Sequence, residues 1–201
     1  MTSKMALAAA AAAFLAAGPV LAGALSLGSK APMADVKMRS VDGSEVSIAG
    51  VAGPKGTLVV FTCNHCPWAK AWEERIVALG NEYREKGIGV IAVNANDPKA
   101  YADDGFDEMV ARAKERGMRY PYAVDATSKI AEAFGATHTP EAFLFDKDGK
   151  LVYHGAVDDN AKEPDQVENH WLKDALDAVV AGSDVAVRET KSIGCSITFR
   201  S

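Results

Sequence analysis

The chain has 201 residues, 48% of them apolar, with 22 basic against 27 acidic side chains and a net charge of −5. That length supports one domain with a sizeable core. A mildly acidic chain with no basic run offers nothing to nucleic acid or anionic lipid, and three cysteines are too few for a disulfide scaffold.

Lys4 precedes an apolar run from Met5 to Ala17, then Gly18-Pro19 and Val20-Leu21-Ala22. A charged start, an apolar middle, a helix-breaking pair and small residues before the cut predict a signal peptide over residues 1–22, cleaved after Ala22 or Ala24. The rival is an uncleaved anchor, but the run falls short of the roughly 20 residues that span a bilayer. No twin-Arg precedes it, which favours export in an unfolded state. The expected destination is the bacterial periplasm or the exterior. In such an oxidising compartment the cysteines read as one functional pair plus one that needs its own explanation. The expected domain is residues 23–182, followed by a C-terminal extension, 183–201, that carries Cys195.

Within the domain, Ala34 to Met38 alternate briefly, Asp42-Gly43 signals a hairpin, and Glu45-Val46-Ser47-Ile48 is the expected return strand. A Gly- and Pro-rich loop feeds Thr57-Leu58-Val59-Val60-Phe61, apolar on both faces as a central strand requires. Cys63-Asn64-His65-Cys66-Pro67 follows. Pro67 suits a first helical turn, and Trp68, Trp72, Ile76, Leu79 and Tyr83 keep a helical period until Gly87. Ile88 to Asn94 is a second buried strand, so strand, helix and strand imply a parallel pair with a right-handed crossover.

Past Asp97-Pro98, Phe106, Met109, Val110 and Ala113 mark one face of a helix that Gly117 stops. Tyr122 to Val124 is a short strand, and Asp125 or Ser128 caps a small helix ended by Gly135. After Thr139-Pro140, the segments Glu141–Asp146 and Leu151–Gly155 form a hairpin across Lys147-Asp148-Gly149-Lys150, which makes the sheet mixed. Asp158 to Asp165 is a polar loop, and Val167 to Val179 form the last helix. In the tail, Ile193, Cys195, Ile197 and Phe199 alternate with polar residues, the pattern of a strand with one apolar face.

A strand ending on Cys-x-x-Cys at a helix start, a crossover strand, and Thr-Pro before an antiparallel hairpin resemble the thioredoxin-like superfamily. Leu27-Gly28-Ser29-Lys30-Ala31-Pro32 and the insert between Asn94 and Pro121 are similar to its redoxin (AhpC/TSA) branch. Within that branch, Cys63 to Pro67 and Gly194-Cys195-Ser196-Ile197 resemble a peroxiredoxin-like group with a Cys-Asn-His-Cys-Pro site and a Gly-Cys-Ser-Ile tail. The resemblance implies an α/β fold: a central mixed β-sheet flanked by helices, with an N-terminal hairpin and a redoxin-type insert. It also implies a cis Pro140 facing the dithiol and a Thr139 that offers backbone hydrogen bonds to a substrate strand.

The chemistry expected first is thiol-disulfide exchange. A thiol at a helix N-terminus meets free N–H groups and the positive end of the macrodipole. Cys63 is expected to be exposed and attacking, Cys66 to resolve, and a His65 imidazolium to stabilise the thiolate. His65 also matches the corresponding position of the periplasmic disulfide oxidases, whereas Asn64 departs from the proline they carry, so oxidising strength does not carry over. Trp68 is near enough to flank a substrate, although core packing suits both it and Trp72. The expected partners are protein thiols or disulfides, or a small-molecule thiol, with a membrane redox protein as a further candidate. No cofactor is expected, and no sequence signal sets an oligomeric state.

Two rival activities share these residues. A dedicated thiol peroxidase of this branch carries Pro-x-x-x-Thr-x-x-Cys; counting back from Cys66 puts Cys63 and Val59 at the Thr and Pro positions, and from Cys63, Val60 and Gly56. The hydroxyl that orients peroxide is missing, although any activated thiolate reacts slowly with peroxide. A copper or zinc site would draw on Cys63 and Cys66 with His138 as the distant ligand. Cys195 has two open readings, a small buried residue or a third redox thiol. Glu141 is either a proton acceptor for the buried thiol or a surface carboxylate. His154 and His170 have no evident partners, and Asp158 and Asp159 read as an acidic loop.

Overall fold

The computed structural model describes residues 23–200; the predicted signal peptide lies outside them. No helix among the described residues is long and apolar enough to cross a membrane.

The chain opens with the hairpin of β1 (Met38–Ser40) and β2 (Glu45–Val46). The return strand is shorter than the expected Glu45–Ile48: a 3₁₀ turn, Ala49–Val51, begins at once, and the Ser47 hydroxyl accepts the Gly50 N–H at 3.1 Å. Then come β3 (Gly56–Phe61), α1 (Pro67–Glu85) and β4 (Ile88–Asn94). Every residue of β3 and β4 is buried, which explains why both read as unbroken apolar runs. The two strands pair in parallel, as a helical crossover demands.

The insert holds α2 (Phe106–Arg116), which Gly117 ends at φ +65. Met109 and Ala113 bury its inner face, whereas Val110, expected to join them, is exposed. Next are β5 (Tyr122–Val124) and α3 (Lys129–Phe134). Asp125 caps α3, its carboxylate accepting the Ala131 N–H at 3.0 Å, while the Ser128 side chain donates instead to the Ala95 carbonyl. β6 (His138–Thr139), β7 (Glu141–Asp146) and β8 (Leu151–Gly155) follow. The last helix, α4 (Trp171–Ala181), starts later than expected because Pro164–Gln166 form a 3₁₀ turn that leaves Val167 outside it.

The main sheet has seven strands in the order β2-β1-β5-β4-β3-β7-β8. β3, β4 and β5 are parallel, while β1, β7 and β8 run against their neighbours. Side chains alternate across β3 and so divide the core. Leu58 and Val60 pack with Trp72, Met109 and Leu176; Val59 and Phe61 pack with Ile130, Phe134 and Phe143. On the second face Phe134 meets Phe61, Phe143 and Phe145 edge-on at 5.3, 5.2 and 6.0 Å between centroids. Burying each such side chain is worth about 1.5–3 kcal/mol, and the edge-on geometry adds to it.

The tail forms only a two-residue strand, β9 (Cys195–Ser196), paired antiparallel with β6. Its partner is itself two residues long, so the pairing ends there. Ile197 is buried, but Ile193 and Phe199 stay exposed, and the uniform apolar face expected of the tail is absent.

Candidate functional site

β3 ends at Phe61 and points the next five residues to the start of α1. Cys66 is the N-cap of that helix, extended at φ −65 and ψ 126, and Pro67 fills its first turn. Proline costs nothing where no intrahelical partner exists for its missing N–H. Cys63 lies in the loop just before. The exposed Cys63 expected from the sequence is in fact buried, at 4%, with Cys66 at 0%. Thr139 lies against both, and Cys195 of the tail packs on the same cluster.

Thr139 reaches both sulfurs. Its hydroxyl lies 3.2 Å from Cys63 Sγ, and its carbonyl accepts from Cys66 Sγ at 3.1 Å. The Thr139–Pro140 peptide is cis. The edge of β6 is occupied by β9, with Cys195 directly opposite Thr139.

The two sulfurs titrate as a pair. Cys66 is lowered to about 4, first by the hydrogen bond from Cys63, against burial, with help from Cys195 and the Ala69 N–H. Cys63 is raised by the same bond to Cys66, then by burial and by the charge of Asp104. The first proton therefore leaves easily and the second is held, a property of the pair rather than of either sulfur. Thr139 suits both placements of the remaining proton. On Cys63 the thiol points to Cys66; on Cys66 it points to the Thr139 carbonyl, and the Thr139 hydroxyl is then free to donate to Cys63.

His65 does not lie between the two sulfurs as a simple charged neighbour. Its Nδ1 is 2.6 Å from Asp104 Oδ2, and its ring stacks on Tyr101 at 3.6 Å and 4°. Asp104 is buried and also accepts the backbone N–H groups of Asn64 and His65 at 2.7 and 3.2 Å and the Asn96 amide at 2.9 Å. Asn64 donates to the Asp103 carbonyl at 2.9 Å and accepts from the Tyr122 hydroxyl at 3.1 Å. The whole Cys-x-x-Cys loop is thus pinned to the insert. Nothing in the sequence marks Asp104 for this role; the only signal available was a polar Asn-Ala-Asn at the end of a buried strand.

The expected metal set does not assemble. His138 Nδ1 faces the Thr137 hydroxyl at 2.8 Å, because β6 turns its side chain away from the dithiol. The group that does converge is Cys63, His65 and Asp104, with ligand atoms within 4.8 Å of one another.

Other sequence candidates find definite places. Trp68 is half-buried against Cys63, Cys66, Ala69 and Cys195, and Trp72 is core. Glu141 is neither a surface carboxylate nor a partner of the thiols. It is buried, with one oxygen 2.6 Å from His154 Nε2 and the other accepting the Thr137 and His138 N–H groups at 2.8 and 3.0 Å. Burial alone would raise its carboxyl, but the His154 bond and the two N–H groups outweigh it and hold it below the usual value. His154 therefore has a partner. Asp158 does not belong to an open acidic loop either: it is buried, accepts the Trp72 indole N–H at 2.7 Å and pairs with Arg75. Asp159 accepts from Asn169 and the Glu168 N–H, and His170 is exposed at the start of α4.

Known proteins carry the same frame. A solved structure of a conserved protein from Geobacillus kaustophilus is 35% identical, with a TM-score of 0.81 over 87% of this chain and 93% of that one. A thioredoxin-like protein in its oxidised form superposes with a TM-score of 0.60 over 77% of this chain and 98% of that one, at 22% identity, a likeness of fold. The fold is thioredoxin-like. Among curated proteins, the thiol-disulfide oxidoreductase ResA of Halalkalibacterium halodurans is 25% identical over 57% of this chain, and the match spans 61% of that relative's length. ResA of Bacillus thuringiensis (strain Al Hakam) is 28% identical over 74% of this chain and 79% of its own length. The AhpC/TSA family model matches residues 27–154, a span that holds the dithiol, the cis peptide and the hairpin. The chain belongs to the AhpC/TSA family.

Proposed function

We propose that the chain is a thiol-disulfide oxidoreductase working through Cys63 and Cys66, with Cys63 attacking and Cys66 resolving. The observation that carries this is Thr139, whose hydroxyl and carbonyl each meet one sulfur of a dithiol at the mouth of α1. The curated relatives named above as thiol-disulfide oxidoreductases support it.

The exchange begins when the shared proton passes to Cys66 and the Thr139 hydroxyl donates to the Cys63 thiolate. Cys63 attacks one sulfur of a substrate disulfide, that bond breaks, and the departing substrate sulfur takes the proton from Cys66, which is left as a thiolate. Cys66 then attacks Cys63, releasing the second substrate thiolate and closing the Cys63–Cys66 disulfide. Two electrons have moved from the chain to the substrate, and the reverse sequence oxidises a substrate dithiol. His65, held by Asp104, and Trp68 flank the reacting sulfurs, and Thr139 and Pro140 border the slot for the substrate strand.

The substrates are protein thiols or disulfides, or a small-molecule thiol, with a membrane redox protein as the regenerating partner. The apolar run before Ala22 supports export to the periplasm or exterior, which leaves a redoxin domain over 23–182 and the extension 183–201. The decisive experiment is reduction of insulin, or oxidation of a reduced protein, by the full chain and by Cys63→Ser. Activity lost in the variant is expected; activity retained by Cys63→Ser overturns the reading.

The convergence of Cys63, His65 and Asp104 favours a second reading, a copper or zinc carrier. Stoichiometric metal kept through purification and lost in Cys63→Ser, without disulfide exchange, would support it.

A further inference from the structure

The exchange just proposed leaves the third cysteine unused, yet the tail is built to bring it to the dithiol. β9 places Cys195 opposite Thr139, and the Ile197 N–H donates to the Thr137 carbonyl at 2.9 Å. Beyond it, the Thr198 N–H donates to Asn96 Oδ1 at 2.8 Å and the Arg200 N–H to Ser128 Oγ at 2.9 Å. Gly194 allows the approach: a Cβ there would stand 2.3 Å from the Thr139 carbonyl oxygen, so any larger residue would lift the strand. Cys195 packs in one cluster with Cys63, Cys66, Ala69 and Trp68. Thr139, the residue it faces, accepts at its carbonyl from Cys66 Sγ at 3.1 Å.

We infer that Cys195 is a third exchanging thiol, specific for Cys66, through which an outside thiol reduces the oxidised dithiol. The inference rests on the exchange at Cys63 and Cys66 proposed above. In the internal step the Cys195 thiolate attacks Cys66 Sγ, the Cys63–Cys66 bond breaks, and Cys63 leaves as a thiolate and takes the proton that Cys195 gave up. One disulfide is lost and one formed, so no electrons enter or leave. The new bond, Cys66–Cys195, includes a partly exposed residue, whereas both cysteines of the old one are buried. An outside thiolate attacks Cys195, Cys66 departs, and a second outside thiol releases Cys195 as a thiol and leaves with the first as a disulfide.

The test is disulfide mapping by mass spectrometry of the full chain equilibrated with glutathione buffers, acid-quenched and alkylated. Wild type is expected to give Cys63–Cys66 and Cys66–Cys195 linked peptides. Their ratio should stay constant across about a hundredfold change in the glutathione ratio, because the two isomers hold the same number of electrons. Cys63→Ser treated with glutathione disulfide is expected to give Cys66–Cys195 alone. Reduction of the oxidised chain by glutathione should slow roughly tenfold in Cys195→Ser, because attack then falls on a buried sulfur. Cys63–Cys66 without Cys66–Cys195 in wild type together with no Cys66–Cys195 in Cys63→Ser, or an unchanged reduction rate in Cys195→Ser, overturns the inference and leaves the exchange standing. A wild type that forms no Cys63–Cys66 bond overturns the exchange itself, and the inference with it.

Discussion

His65 and Asp104 are joined at 2.6 Å, and through this bond the insert controls the dithiol loop. Asp104 carries more than the ring, since it also holds two loop N–H groups and the Asn96 amide. After the Cys66 bond and burial, its charge is the third influence raising Cys63.

Asp104→Asn keeps the shape and removes that charge. The Cys63 thiolate is then easier to form, the reduced dithiol gains, and the redox potential becomes less negative. Each tenfold gain in the reduced form is worth about 30 mV, so a shift of that order is expected in a glutathione titration. Lost hydrogen bonds should cost about 1–3 kcal/mol of stability. An unchanged potential with lowered stability would make Asp104 a purely structural support.

The reduced dithiol sets a pH dependence of defined sign. Cys66 is depressed in the folded chain from an ordinary value of 9.0 to about 4. A depressed group stabilises the fold fully above its unfolded pKa and loses that contribution as pH falls through the folded one. The reduced chain is therefore expected to lose stability progressively from about pH 9 down to about pH 4, and the oxidised chain lacks this slope. Urea unfolding of both forms across that range measures it; parallel curves would remove the thiolate from Cys66.

Glu141 has the same sign on a carboxylate. Its contribution is present above the ordinary carboxylate value and is lost as pH falls through its lower folded value. Glu141→Gln leaves the Thr137 and His138 N–H groups an acceptor but removes the charge beside His154, at a cost of about 1–3 kcal/mol at neutral pH. The variant should converge on wild type as acid protonates Glu141. Denaturant midpoints at neutral and acid pH check this, and a constant gap between the two proteins would refute it.

Gly194→Ala tests the cover over the site. The Cβ that would meet the Thr139 carbonyl should lift β9 and expose the dithiol with its Cys66 thiolate. Alkylation of the reduced chain by iodoacetamide is expected to quicken about tenfold or more, as exposure of a thiolate allows. An unaltered rate would mean that the tail does not gate access.

The strand–helix–strand that presents the dithiol was legible because each piece carries a strong local pattern. β3 and β4 are buried on both faces, and α1 has Pro67 at its start and a regular apolar stripe. The cis Thr139–Pro140 peptide came from resemblance. What stayed hidden depended on contacts between distant segments. Asp104 sits in a polar stretch that looks solvent-facing, and only the folding of the insert back over β4 brings it to His65. The Glu141–His154 pair lies diagonally across the β7–β8 hairpin, whose register shifts between Leu144 and Phe145, so no count along the chain could align them. The buried Cys63 was unreadable for a similar reason: its cover comes from the last residues of the chain.

That cover has a consequence for the order in which the molecule is completed. Thr198 and Arg200 bond to Asn96 and Ser128, at separations of 102 and 72 residues, so the tail is held by distant partners and has no local pairing. A chain emerging N-terminus first has its sheet and dithiol in hand while these residues are still to come. A molecule lacking residues 183–200 would carry an open, reactive dithiol, and one that has them would keep it sheltered.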